Sequence, residues 1–296
     1  MLVAPASRCW WVAAVSVALL LLLPGCAPIT HAGRGSLARA LTFHASFDEG
    51  VNADFSKGDG RVYTASSMRE RGAGRPGMPG EEIVSLAPGE GRFGGALRFH
   101  RKVPEVVFFK GARNVDYRTR DWSGTVSLWL KLGPDEDLEP GYCDPIQITP
   151  RQWNDAAFFV DFSRDERPRH FRLGAFADRA VWDPEQRELD SIPDNERPLV
   201  THTHPPFSRD RWTHVAFTWE RFNTSRADGI ARLYLNGQLH GALTNRTQTF
   251  TWDPQETLIL FGLNYIGLYD ELAIFNRALT ADEVRQLYAR ENGLGK

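Results

Sequence analysis

From Leu41 onward, apolar and polar side chains alternate in short runs, the two-residue period of a strand with one buried face. LTFHASF sets Leu41, Phe43, Ala45 and Phe47 against Thr42, His44 and Ser46. TVSLWLKL sets Val126, Leu128, Leu130 and Leu132 against Thr125, Ser127, Trp129 and Lys131. Further strand candidates are ALRFH, VPEVVFF, AAFFVDF, HFRLGAF, WTHVAFTWE, IARLYLNG, QLHGAL, TLILFG and IGLYDELAIF. Asn236-Gly237 joins two of them, and this dipeptide suits a type I′ hairpin, whose two central residues both need positive φ.

Two long segments break the pattern. Thr64 to Gly91 contains RERGAGRPGMPG and reads as a surface loop, and the prolines and charges of Arg179 to Arg209 predict an insertion outside the sheet. One helix is predicted, near the C-terminus. Thr280 and Glu283 form a capping box, Val284, Leu287 and Tyr288 make an apolar stripe, and Gly293 suits the end. Many strands with one short helix predict an all-β fold, a two-sheet antiparallel jelly-roll sandwich that hides its inner faces against each other.

The N-terminus departs from this pattern. Arg8 precedes an apolar run from Trp10 to Leu23 that only Ser16 interrupts, the layout of a cleaved signal peptide. The run stops at Pro24, short of the roughly 20 apolar residues that a spanning helix needs. Leu23-Pro24-Gly25-Cys26 resembles a bacterial lipobox, which implies lipid attachment at Cys26 and display at a membrane. The expected organisation is a signal peptide over 1–25, a lipid-anchored tether over 26–40, a jelly-roll domain over 41–292 and a tail over 293–296. Ala27, rather than aspartate, after the cysteine points to the outer membrane or cell surface.

Composition adds exclusions. The sequence holds three cysteines, and with Cys9 in the signal peptide and Cys26 consumed by lipid, only Cys143 is left in the domain. This leaves no internal disulfide and no cysteine-based zinc site. A net charge of −2 provides no basic field for nucleic acid.

An ordered series of motifs resembles the laminin-G-like, concanavalin A-like jelly-roll domains of exported bacterial proteins. It runs through Phe47-Asp48-Glu49-Gly50, Gly91 to Phe99 (GRFGGALRF), Thr125 to Leu130, Arg211 to Ala216 (RWTHVA), Leu233 to Gly237 (LYLNG), and Asp270-Glu271 through Asn276 to Thr280 (NRALT). Most of these are fold residues, with Trp212 and Trp219 expected in the core, so the resemblance speaks to architecture more than to activity. In such domains the first and last strands lie side by side, and acidic residues there often hold calcium. The resemblance therefore implies a structural calcium ion on Asp48 and Asp270, with Asn52, Asp54 and Asp59 as further oxygen donors. Counting in twos, Asp270 shares a face with Leu268, Leu272 and Ile274, where a carboxylate needs compensation. A salt bridge or a loop cap would serve as well as an ion.

Glycoside hydrolases of this fold carry two glutamates on one strand face in an E-x-D-x-x-E arrangement. Here Glu188-Leu189-Asp190 lacks the second glutamate, and Asp270 and Glu271 are expected to face opposite sides of their strand. No catalytic residues are assigned. His202 and His204 could place two imidazoles on one side of an extended segment. His214 reads as a sheet residue. Trp153 and Trp182 lie in loop sequence without an obvious core duty, and are candidates to stack on a sugar ring or to anchor their loops. The expected function is non-catalytic recognition at a surface, of carbohydrate first, with an envelope protein-interaction or structural module second and a hydrolase or lyase third.

Overall fold

A computed structural model describes residues 1–2 and 31–294. Cys26 and the apolar run before it lie outside the described residues. Two antiparallel sheets pack face to face. In spatial order, one holds Gln238–Arg246, Gly229–Leu235, Thr213–Phe222, Trp122–Lys131, Gly267–Phe275, Leu41–Ala45 and Phe55–Ser56, with Leu97–Phe99 and Val84–Leu86 attached beside the Gly267–Phe275 strand. The other holds Leu199–His202, Phe171–Phe176, Ala157–Phe162, Cys143–Thr149, Leu258–Leu263, Val106–Lys110, Val62–Ala65 and Arg75–Pro76. The expected jelly-roll sandwich is the observed fold.

The core between the sheets is dominated by rings. Phe158 is fully buried and lies 4.7 Å from Trp219, 4.8 Å from Phe250 and 5.5 Å from Trp122, centroid to centroid. Trp219 fills the core as expected, whereas Trp212 packs outside it against Ala87, Ala96 and Leu268. Cys143 is free and buried. The Asn236-Gly237 hairpin forms with φ of 49° and 76°, the left-handed values that its turn requires. The Thr280–Glu283 capping box closes the first turn of the Ala281–Tyr288 helix.

Besides Trp212 and the short strands Arg75–Pro76 and Val84–Leu86 inside the expected Thr64–Gly91 loop, three further features differ from the sequence reading. First, the last ten residues of the expected tether form a helix, His31–Ala40, whose Leu37 and Ala40 are buried against Tyr234, Phe275, Leu279 and Val284. The segment carries only a few apolar residues, and a docking surface at the C-terminal helix selects them. Second, the Arg179–Arg209 insertion contributes Leu199–His202 as an edge strand, because an edge tolerates the flanking prolines that a central strand excludes. Third, the pairing of Gly267–Phe275 with Trp122–Lys131 slips between Asp270 and Ala273, and Glu271 takes φ of 53°. This bulge leaves Leu272 and Ile274 facing the core but turns both Asp270 and Glu271 to the outer face, so period-two counting fails across it.

Candidate functional site

The outer face of the sheet containing Ala157–Phe162 is where chemistry gathers. Phe158, Val160 and Phe162 point into the core, which sends Phe159 and Asp161 outward. On the next strand Arg172 and Phe176 do the same, and the register sets Asp161 opposite Arg172 and Phe159 opposite Gly174. Gly174 is required there, since a Cβ would meet the Phe159 ring at 2.2 Å.

Asp161 is buried and Arg172 grips it with two bonds, Nε donating to Oδ1 at 2.8 Å and Nη2 donating to Oδ2. The Tyr142 ring covers the guanidinium at 4.9 Å and is itself 41% exposed. Asp144, on Cys143–Thr149, lies beside this pair and forms no hydrogen bond or ion pair among the described residues. Burial, then the Asp161 charge, pushes the Asp144 carboxyl well above the usual carboxylate range, with Arg172 opposing. Burial also raises Asp161 against the pull of Arg172. Gln147 sits on the same strand between Phe159 and Leu260 of its neighbours.

These residues floor a groove of two adjoining cavities, about 530 and 660 Å³, which share Tyr142, Asp144 and Trp153. Trp153 is 42% exposed and held in T-shaped contact with Phe176 at 5.6 Å and Phe159 at 6.2 Å. One rim is stapled by the fully buried Asp183. Its Oδ2 accepts from Arg179 Nη2 at 2.6 Å and its Oδ1 from Arg187 Nε at 2.9 Å.

The remaining candidates lie elsewhere. Trp182 anchors the rim. Its Nε1 donates to the Asn154 carbonyl at 2.9 Å, its ring meets Phe176 at 5.0 Å, and it does not line the groove. His202 stands on the edge strand with its ring 4.2 Å from His240, and burial lowers the pKa of both. His204 is exposed and bonds Thr203 through Nδ1 at 3.0 Å. The close imidazole pair is therefore His202 with His240, across two strands that the sequence separates.

Asp48 and Asp270 hold the Gly91–Gly95 turn. Asp270 Oδ2 accepts from the Arg92 and Phe93 amides at 2.7 and 3.3 Å, and its Oδ1 from the Glu271 amide at 2.8 Å. Burial and then the neighbouring Glu271 charge push Asp270 up to about 8, and these three amides work against that rise. Asp48 Oδ1 accepts from the Gly95 amide at 2.8 Å. Of the other oxygens considered, Asp54 takes the Ser46 amide, Asn52 the Val62 amide, and Asp59 the side chains of Arg61 and Tyr63. These oxygens are spent on N–H donors, which cannot ligate calcium, and on the Ser46 and Tyr63 hydroxyls, so this arrangement does not fit the expected ion. Among the described residues no group of three or more His, Cys, Asp or Glu is arranged to hold a metal.

The sequence reading singled out Trp153 but not Tyr142, Asp144, Gln147, Asp161 or Arg172. A signal was present: AAFFVDF and HFRLGAF each carry one charge inside an apolar run, with opposite signs, on strands close enough in sequence to pair.

Domain 4 of an extracellular arabinanase from Geobacillus stearothermophilus, solved in complex with arabinotriose, superposes with a TM-score of 0.52 at 18% identity, over 84% of this chain and 98% of that one. The receptor binding domain of botulinum neurotoxin C/D mosaic serotype gives 0.55 at 11% identity, over 84% of this chain and 51% of that one. The binding domain of serotype D gives 0.52 at 11% identity, over 86% and 52%. This chain thus spans about half the length of those toxin chains, and the likeness in all three cases is one of fold. Among curated proteins no sequence match is found. Residues 113–285, more than half of the chain, match the family model described as the concanavalin A-like lectin/glucanases superfamily, and the chain belongs to that family.

Proposed function

We propose that this chain is a non-catalytic recognition module that binds carbohydrate in the groove above Asp161 and Arg172, and that Cys26 tethers it to the outer membrane or cell surface. The observation that carries the reading is Trp153, a half-exposed indole braced by two aromatic neighbours at the meeting of two cavities. A braced ring offers an apolar face for a sugar at little entropic cost, and the adjacent Asp144 and Gln147 offer hydrogen bonds. The arabinanase domain supports the reading at the level of the fold, since a domain of this fold was solved in complex with an oligosaccharide.

Binding is favoured over hydrolysis at the groove floor, whose carboxyl groups are Asp144 and Asp161, while Glu188 and Asp190 line the rim. A retaining or inverting glycosidase needs both carboxyl groups free to reach the scissile bond. Both oxygens of Asp161 are taken by Arg172.

A glycan array probed with the wild-type protein and with Trp153→Ala tests the site. Loss of a specific signal in the variant is the expected result; a blank array, or equal binding by both proteins, rejects it. Cys26→Ser is expected to move the protein from the membrane to the soluble fraction, and continued membrane association would remove the anchor from the reading.

A further inference from the structure

Two polar groups on the groove floor are left unanswered by the fold, and both belong to Cys143–Thr149. Gln147 is 2% exposed, and its Nε2 has no acceptor among the described residues. A buried amide donor without an acceptor is rare in a native protein and calls for an explanation. Asp144 opens onto both cavities and makes no hydrogen bond or ion pair among the described residues. Residues three apart in a strand ordinarily face opposite ways. Here the pairing with Ala157–Phe162 slips between Val160 and Phe162, which adds a residue between Cys143 and Ile146 and brings Asp144 and Gln147 to one face.

We propose that Gln147 and Asp144 are the residues that read the ligand, Gln147 donating to one hydroxyl and the Asp144 carboxyl accepting from the next, and that the ligand is a neutral oligosaccharide with a free vicinal diol. This rests on the groove being a sugar site. A hydroxyl both donates and accepts, so two adjacent ones answer a lone donor and a lone acceptor together. A carboxyl keeps an acceptor oxygen in either protonation state, so the contact does not depend on the charge of Asp144.

Charge selects against uronic acids. The floor sets two carboxyl groups, Asp144 and Asp161, against the single guanidinium of Arg172, so a third carboxylate would add negative charge to a floor that already resists it. The rim adds Glu105, Glu188 and Asp190, and most of its arginines are already held. Asp183 holds Arg179 and Arg187, the Ile192 and Leu189 carbonyls hold Arg197, the Met68 carbonyl holds Arg71, and Asp155 and Asp178 hold Arg151. This leaves Arg69 as the lining arginine without such a hold among the described residues.

The test uses the full chain in detergent on an array of neutral and uronic acid oligosaccharides, with Trp153→Ala, Gln147→Leu, Asp144→Ala and Asp144→Asn beside the wild type. The expected result is binding to neutral glycans, lost in Trp153→Ala and weakened about tenfold or more in Gln147→Leu and Asp144→Ala. Asp144→Asn should keep neutral binding and admit uronic acids. Without ligand, Gln147→Leu should raise the Tm, because it removes the unanswered donor while keeping an apolar shape between Phe159 and Leu260.

If binding needs Trp153 but ignores both Gln147→Leu and Asp144→Ala, the inference fails while the groove stands. If the wild type prefers uronic acids, or Gln147→Leu lowers the Tm, it fails as well. A blank array, or binding indifferent to Trp153, removes the groove reading and this inference with it.

Discussion

Arg172→Met puts the electrostatics of the groove floor to a quantitative test. The substitution keeps the stem of the side chain and removes the guanidinium that holds both oxygens of Asp161, a carboxylate only 3% exposed. Breaking a buried pair from one side costs about 3–5 kcal/mol, because the remaining charge has neither water nor a partner. Asp144 beside it makes the position worse for a second negative charge. The cost must depend on pH. Both carboxyl groups are raised in the folded protein, so the stability they contribute is fully present below the unfolded carboxylate value near 4 and is lost as pH rises through their raised values. Removing the cation raises Asp161 further and steepens that loss. Urea denaturation at pH 8 and pH 5 should show the full penalty at the higher pH and a smaller one at the lower. The double variant Asp161→Leu/Arg172→Met should recover most of the stability, since no buried charge is left. A penalty independent of pH, or a double variant no better than the single, would refute the argument.

Other expectations come from contacts outside this pair. Gly174→Ala drives a Cβ into the Phe159 ring and should cost about 1–3 kcal/mol in urea denaturation while disturbing the brace under Trp153; an unchanged midpoint would mean the ring moves freely. Leu37→Ala should cost about 2 kcal/mol or more if the His31–Ala40 helix is docked as described, and no change would mean that it is not. Burial, with a smaller push from the Arg92 charge, lowers His214 to about 3, so its contribution is lost as pH falls below the unfolded value near 6.5. The stability advantage of wild type over His214→Gln should therefore shrink on acidification from pH 7 to pH 5, and a constant difference would contradict the buried, neutral imidazole.

The elements that could be read from the chain alone are those whose signal is local. Alternation marked LTFHASF and TVSLWLKL, the left-handed demands of Asn236-Gly237 marked a hairpin, and Thr280 with Glu283 marked a helix start, because each depends on residues within one turn or strand. The jelly-roll class followed from their number and order. Local period misled where the ladder slips. The bulge at Glu271 moved Asp270 away from Leu272 and Ile274, and the irregularity near Asp161 set Asp144 and Gln147 on one face although they are three residues apart.

The groove depended on pairing between strands. Asp161 and Arg172 were each visible as a charge in an apolar run, but only antiparallel register makes them partners, and only the second sheet behind them turns their side chains outward. Trp153 and Trp182 looked alike as loop residues; the first is left half exposed between cavities and the second is consumed by a hydrogen bond to Asn154. The covalent order of the chain thus carried the class of fold and the strand positions. Partnership, exposure and unanswered hydrogen bonds are properties of surfaces brought together from distant segments, and they came into being only when the two sheets closed on each other.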